Sequence, residues 1–528
     1  MGNDAIIRKL YQKYFAQPTE LLVKGEKGGT TIAVNEILSK ASFFYERIRN
    51  ALEYSEEHLL RKNAIARILS RRLFFQKKSE EVAESLILEL IRARYLPNRT
   101  LSDKMIPIIA KTIHKYQRLL NTIEKNDGLQ KRQKAFKWTI GIAASEIESQ
   151  LADTHQDEAF ATYMYEIFEK NLPEELKNIP KEELSIQLFI AIEQSLLKAD
   201  KILISHRLLE RYVPHWKHAS NDTIEKMATC FENIRNALDA HFKHQRTDTL
   251  YRWTKKYTVL FLLLRDLLEK HEEDFANLLN DKQTLKEEIE AAYKRRAKII
   301  RRKITRGVAR SIIYIFFTKM LIALLLEIPY DRYVHGELAL IPLEINIMFP
   351  PILMFILGIT IRMPKKENLK KIQEVLPKMI YNDALALTPP KKLKRKTFFS
   401  IIFTTLYTLT YAVSFGGMIY VLSSFGFNTF SGALFLLFLC LASFLGFRLR
   451  QHVKEVSLIE RRENIITLLV GFLTTPFLRV GNWISTKFSR INIFLFILDI
   501  IIEAPFQLII EVLEQWFSYM KEKRDELS

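Results

Sequence analysis

The sequence predicts an all-α protein: an irregular multi-helix cytoplasmic domain, a four-span helical membrane domain and amphipathic C-terminal helices. Three observations predict it. Helical periodicity runs through residues 1–306 with little strand-like alternation. Four later segments are apolar and long enough to cross a hydrocarbon core of about 30 Å. The charges divide in the same place: residues 1–306 carry 54 Lys+Arg and 43 Asp+Glu, whereas 307–528 carry 25 and 17, clustered between long apolar runs. The 528 residues and net charge of +19 therefore describe two unlike halves. The expected domains are a cytoplasmic helical domain (1–284), a basic juxtamembrane helix (285–307), a membrane domain (308–447) and an amphipathic C-terminal region (463–528).

In the first half, "SEEHLLRKNAIARILSRRLFF" (55–75) sets Leu59, Leu60, Ile65, Ile68, Leu69 and Leu73 along one stripe. Glu56 and Glu57 stand in its first turn, where the helix dipole favours them. "SEEVAESLILELIRARYLP" (79–97) starts alike and stops at Pro97. Further helices are expected over 101–125, 129–152, 157–171, 181–198, 200–213, 221–242 and 246–278, separated by breakers such as "NDG" (126–128) and "YVPHW" (212–216). The stretch "GEKGGTTIAVN" (25–35) lacks the Lys-Ser/Thr that a phosphate loop needs after its last Gly. It reads as a loop in which Thr30 or Thr31 caps the next helix. Many Glu and Lys residues read as solvated helix faces.

Cys230 and Cys440 form no disulfide framework and no CxxC motif, which fits a reducing compartment for the first half. The apolar core of a signal peptide is missing from the first residues. His215/His218 and His241/His244 are spaced i,i+3, on one side of a helix each, but a metal needs three or four ligands. No metal site and no cofactor are implied.

"LKEEIEAAYKRRAKIIRRKITRGVARSIIYIFF" (285–317) reads as one helix leaving the soluble domain and entering the bilayer. Between Tyr293 and Arg306 it holds eight basic residues and no acidic one. Arg295, Arg296, Arg301, Arg302 and Lys303 are the expected contacts to anionic lipid headgroups, at roughly 1 kcal/mol per basic residue near the surface. Nucleic acid is the competing partner for such a run; direct attachment to an apolar span makes it the less favoured one. The expected spans are 308–328, 337–361, 398–423 and 428–447. The loop between the second and third spans (362–397) holds eleven Lys+Arg, the outer loops few or none, and Arg448, Arg450 and Lys454 follow the fourth span. By the positive-inside rule both termini are cytoplasmic.

Lys319 stands in the middle of "SIIYIFFTKMLIALLLEIPY" (311–330). A charge there is costly and calls for a partner. Glu344, at similar depth in the next, antiparallel span, is the expected one. Pro342, Pro350 and Pro351 are expected to interrupt that second span. Beyond residue 490, Asp499, Glu503, Gln507, Glu511, Glu514 and Ser518 recur every three or four residues in an apolar run. They make one polar stripe. Its acidic members Asp499, Glu503, Glu511 and Glu514 are expected to dock on a basic surface of the same protein, and a tail this long also leaves room for further spans.

"EEHLLRKNAIARIL" (56–69) and "LDIIIEAPFQLIIEVLEQW" (498–516) resemble uncharacterised multi-span membrane proteins of small-genome bacteria. The resemblance covers the two ends, implies an inner-membrane location and carries no activity. No GxSxG, zincin or kinase signature is present. The expected function is an integral membrane scaffold or assembly component whose cytoplasmic domain meets itself or another protein. The alternative is a channel or transporter with a polar site at Lys319/Glu344, and third a lipid-modifying membrane enzyme.

Overall fold

A computed structural model describes residues 3–16, 31–34, 36–52, 56–75, 78–126, 129–152, 154–177, 180–244, 246–336, 338–381, 387–388, 397–459 and 464–490, with isolated positions beyond. Among these the protein is helical, with no strand beyond an isolated Thr31–Ser102 bridge. The helices are α1 (Asn3–Tyr14), α2 (Glu36–Leu52), α3 (Glu57–Phe75), α4 (Ser79–Arg92), α5 (Met105–Asn126), α6 (Leu129–Leu151), α7 (His155–Lys170), α8 (Glu174–Lys177), α9 (Lys181–Ser195), α10 (Lys201–Tyr212), α11 (Asn221–Thr229), α12 (Phe231–Lys243) and α13 (Thr247–Lys270). Then come α14 (Phe275–Asn280), α15 (Lys282–Ile322), α16 (Ile328–Tyr330), α17 (Leu340–Thr360), α18 (Lys366–Tyr381), α19 (Thr397–Ser424), α20 (Thr429–Gln451) and α21 (Ile465–Arg490). The chain forms two compact units, one built on Met1–Lys255 and one on Lys256–Leu385 with Pro389–Asn492. The division falls inside α13.

In the first unit, α3 is the helix the others close upon, packing against α4 and α6. Its apolar stripe (Ile65, Ile68, Leu69) is buried. Its basic residues are not a solvated face. Arg61 reaches Glu148 of α6 at 2.8 Å, Lys62 pairs with Asp200 at the start of α10, Arg67 with Glu46 of α2, and Arg71 and Arg72 share Glu89 of α4. Glu46, Glu89 and Glu148 are all buried, so these carboxylates lose solvation that the paired cations, and at Glu46 the Tyr95 hydroxyl at 2.9 Å, replace. A second buried cluster joins α5, α6 and the Trp216 turn. Lys115 donates to Glu146 at 2.6 Å and to the Trp216 carbonyl at 3.0 Å, Tyr116 donates to Glu146 at 2.7 Å, and Trp216 Nε1 donates to the Tyr116 hydroxyl at 2.9 Å. Thr31 does not cap a helix. The extended Thr31–Val34 segment pairs with the loop after α4: Ile32 N–H donates to Leu101 at 3.0 Å and Arg99 N–H to Ile32 at 3.2 Å.

In the second unit α15 is the spine. Asp281 caps it by accepting from the amides of Gln283 and Thr284. With no proline before Pro329, it runs 41 residues as regular α-helix, about 62 Å at 1.5 Å per residue. Its first half packs against α14, α18 and the turn His452–Val456. Asn368 of α18 is the peg of this collar. Its amide donates to the Val456 carbonyl at 2.8 Å and the Tyr293 hydroxyl at 3.3 Å, and its oxygen accepts from Leu458 and Ile459 amides at 2.7 and 3.1 Å. Every polar position of a buried amide is thereby used.

Four helices are long and apolar enough to cross a membrane: the segment ending at Val334 that contains α15, then α17, the apolar part of α19, and α20. The three prolines of the second expected span do not break it: α17 runs unbroken through Pro350 and Pro351, and Pro342 sits in its first turn. Gly426, in the left-handed region at φ +77°, lets the chain reverse between α19 and α20. Helices approach closely at glycines. Gly307 lies on Leu449, Gly358 on Val308 and Gly446 on Leu357, knitting α15, α17 and α20 together; Gly481 of α21 lies against the backbone of Cys440 in α20. Such small-residue contacts are how apolar helices associate where the surrounding solvent is equally apolar.

Two outcomes follow. A Cβ at Gly446 meets only side-chain atoms of Leu357, nearest its Cδ1, whereas one at Gly481 collides with the Cys440 carbonyl of the backbone. Thermal unfolding in lipid should therefore show Gly481→Ala losing about 1–3 kcal/mol and Gly446→Ala less; equal losses contradict the packing described. In the first unit, burial and then the charges of Lys115, Lys217 and Arg207 push His206 down to about 3 from 6.5. The unfolded chain takes up this proton as pH falls below 6.5 while the native protein does not. The native state should lose up to about 1.4 kcal/mol per pH unit from 6.5 down towards 3. His206→Phe should flatten that part of the stability–pH curve, and an unchanged slope would refute it.

Candidate functional site: a buried polar chain among the spans

Lys319 lies on the face of α15 that the bundle covers, in line with Ile304, Gly307, Ser311 and Ile315, all buried. It is paired, but not with Glu344. Its ammonium lies 3.4 Å from Glu327, eight residues further along its own chain, and both side chains are 0 % exposed. On a regular helix position 327 stands about 80° round from 319. The turn Ala323–Glu327 is π-helical. Pro329, two residues on, has no N–H and its ring would press on the Leu325 carbonyl of a regular turn. The wider π turn relieves this, advances fewer degrees per residue, and swings Glu327 back over Lys319. The ammonium also sits 5.0 Å from the Phe438 ring centre of α20, within cation–π range.

Glu344 is exposed. The covered face of α17 is Pro342, Asn346, Pro350 and Met354, at four-residue spacing, and Glu344 stands about 200° from Asn346. Depth alone selected Glu344; facing selects Asn346. Its amide donates to the second oxygen of Glu327 at 2.5 Å and to the Ser431 carbonyl of α20 at 3.2 Å. Both neighbours accept, so the amide orientation is forced, and Asn346 Oδ1 is left without a hydrogen-bond partner among the described residues. The chain of contacts continues. The Ser431 amide donates to Asn428 Oδ1 at 2.8 Å, capping α20, and Asn428 Nδ2 donates to Asp331 at 2.7 Å. Asp331 is buried too. Tyr330 stacks on Phe430 at 4.5 Å beside this end. One polar chain, from Lys319 to Asp331, thus ties three of the four apolar helices.

Of the expected headgroup contacts, Arg295, Arg301, Arg302 and Lys303 are exposed along α15. Arg296 is not available: it forks onto Asp266 of α13 at 2.9 and 2.5 Å and reaches the Leu262 carbonyl at 3.4 Å. The expected docking stripe of Asp499, Glu503, Glu511 and Glu514 lies outside the described residues. Among the described residues no group of three His, Cys, Asp or Glu side chains is placed to hold a metal. The signal for the missed residues was present: Glu327 lies within the first span and Asn346 within the second, but reading by depth without helical phase passes over both.

Comparison with protein-family models, with curated proteins and with solved structures returned no match in any of the three.

The pairing leads to a double-mutant outcome. Glu327→Gln leaves a charged lysine inside the bundle, a situation that costs about 2.5–3.5 kcal/mol on insertion scales. Lys319→Met removes the ammonium and leaves Glu327 still accepting from the Asn346 amide. Glu327→Gln should therefore destabilise more, and Lys319→Met with Glu327→Gln should recover much of the loss, as buried pairs replaced together often do. Lys319→Met with Glu344→Gln should be additive. Coupling with Glu344 and none with Glu327, read from thermal unfolding in lipid, would overturn the assignment.

Proposed function

We propose that the protein is a multi-pass scaffold of the cell membrane. Its second unit is the anchor, and its first unit is a helical platform that meets another protein or a second copy. The observation that carries this reading is the closure around Lys319. The ammonium is taken up by Glu327 and the Phe438 ring, and the helices around it interlock at Gly307, Gly358 and Gly446. Such an arrangement fixes helix register, which an anchor requires. The buried ion pairs that surround α3 support the platform part of the reading, because they hold a many-helix unit in one arrangement.

Both termini and the 362–397 segment face the cytoplasm, where its eleven Lys+Arg satisfy the positive-inside rule. The exposed basic side of α15 then meets the anionic headgroups of that leaflet. In a background of Cys230→Ser and Cys440→Ser, an impermeant thiol reagent added outside cells should label Tyr333→Cys and spare Leu393→Cys; the opposite pattern rejects the orientation. Reconstituted in sealed vesicles, the protein should leave ion and proton flux at the level of protein-free vesicles. A flux that Lys319→Met abolishes would reject the scaffold in favour of transport.

A further inference from the structure

The face of α15 opposite its packed side carries a second pattern. The packed side runs through Ile304, Gly307, Ser311, Ile315 and Lys319. Opposite lie Arg302, Arg306, Arg310, Ile313, Phe317 and Leu321, at steps of four, four, three, four and four. These steps keep all six within a stripe about 100° wide on a helix of 3.6 residues per turn. All six are exposed, Ile313, Phe317 and Leu321 by more than half. The stripe is cationic for its first three members and apolar for its last three, with no acidic residue between Tyr293 and Leu326. From Arg310 to Leu321 the helix rises about 16 Å, which is the depth of one leaflet of a core about 30 Å thick.

A surface with guanidinium groups at one end, an apolar run one leaflet long at the other, and nothing acidic between is complementary to one class of molecule. We propose that this stripe seats an individual anionic phospholipid, its phosphate held by Arg302, Arg306 and Arg310 and an acyl chain laid along Ile313, Phe317 and Leu321. The seat rests on the orientation proposed above, which puts Arg310 at the cytoplasmic headgroup level. It adds to that orientation a bound lipid rather than diffuse attraction to a charged surface. Guanidinium suits the task, since its planar donors meet phosphate oxygens in pairs. The helix is rigid there because its other face is packed on α17 and α20, so the groups are held in line before the lipid arrives.

The test uses the full chain in nanodiscs of phosphatidylcholine with a minority of phosphatidylglycerol, and native mass spectrometry reads the lipid retained on the released protein. Arg302→Gln with Arg306→Gln and Arg310→Gln should lower phosphatidylglycerol retention by about tenfold or more. Removing equal charge from α18, by Lys366→Gln with Lys370→Gln and Lys371→Gln, should leave it nearly unchanged. Phe317→Ala with Leu321→Ala keeps every charge and should still lower retention severalfold. If the two charge-removing variants behave alike, or if the apolar variant retains lipid like the parent, binding is diffuse and the seat is refuted. Retention that appears only when the chain is ended at residue 490 also refutes it, and assigns the stripe to the chain's own acidic tail. None of these results alters the thiol-labelling pattern, so failure of the seat and failure of the orientation are separate outcomes. Circular dichroism of each variant shows whether it is folded. Should the triple arginine variant unfold, Arg306→Gln alone set beside the apolar variant decides the matter.

Discussion

The arrangement of the second unit follows from one constraint: an ammonium group buried inside an apolar helical bundle must be matched by an acceptor at reach. Lys319 meets it with Glu327 on its own chain. Meeting it there has consequences. The first span must turn by a π-helical step to bring Glu327 into line, and Glu327 has a second oxygen to satisfy. Asn346 of α17 takes that oxygen and passes the connection to the Ser431 carbonyl of α20. A single charge placed in α15 therefore dictates the rotation of α17 and the height of α20. The same demand recurs at the collar, where one buried amide, Asn368, ties α18 to α15 and to the segment after α20.

Polar chains set register, and small residues set distance. Gly307, Gly358 and Gly446 let α15, α17 and α20 approach closely; at that separation the ammonium and the Phe438 ring come within 5.0 Å. The two devices reinforce each other, because an interlocked bundle excludes water and makes an unpaired polar group costlier still. The first unit uses a related logic. Its helices are held about α3 by arginines that pair with buried glutamates.

Much of this was legible in the sequence. The all-helical class, the four apolar helices and the long helix through the basic block follow from periodicity, length and the absence of proline. The site was legible in part. A lysine amid apolar residues announces a partner, but depth along the bilayer is one coordinate and rotation about the helix is another. The phase of α17, readable from Pro342, Asn346, Pro350 and Met354, turns Asn346 inward and Glu344 outward. The π turn before Pro329 was not legible, since a proline admits a kink, a break or a widened turn, and packing decides among them. The buried ion pairs of α3 were hidden for another reason: Arg, Lys and Glu at helical spacing read as surface until the helices that cover them are known. Arg296 was misplaced in the same way, since only its partner Asp266 distinguishes it from the arginines beside it.

The most direct test of the claim that Glu327 sets the register of the spans is thiol cross-linking between α17 and α20. Phe349 and Phe435 face each other with ring centres 4.8 Å apart. In a background of Cys230→Ser and Cys440→Ser, Phe349→Cys with Phe435→Cys should cross-link efficiently in membranes. Adding Glu327→Gln should abolish or strongly reduce that cross-link, and adding Lys319→Met as well should restore it. Efficient cross-linking in the presence of Glu327→Gln alone would show that the bundle keeps its register without the polar chain, and would contradict the account.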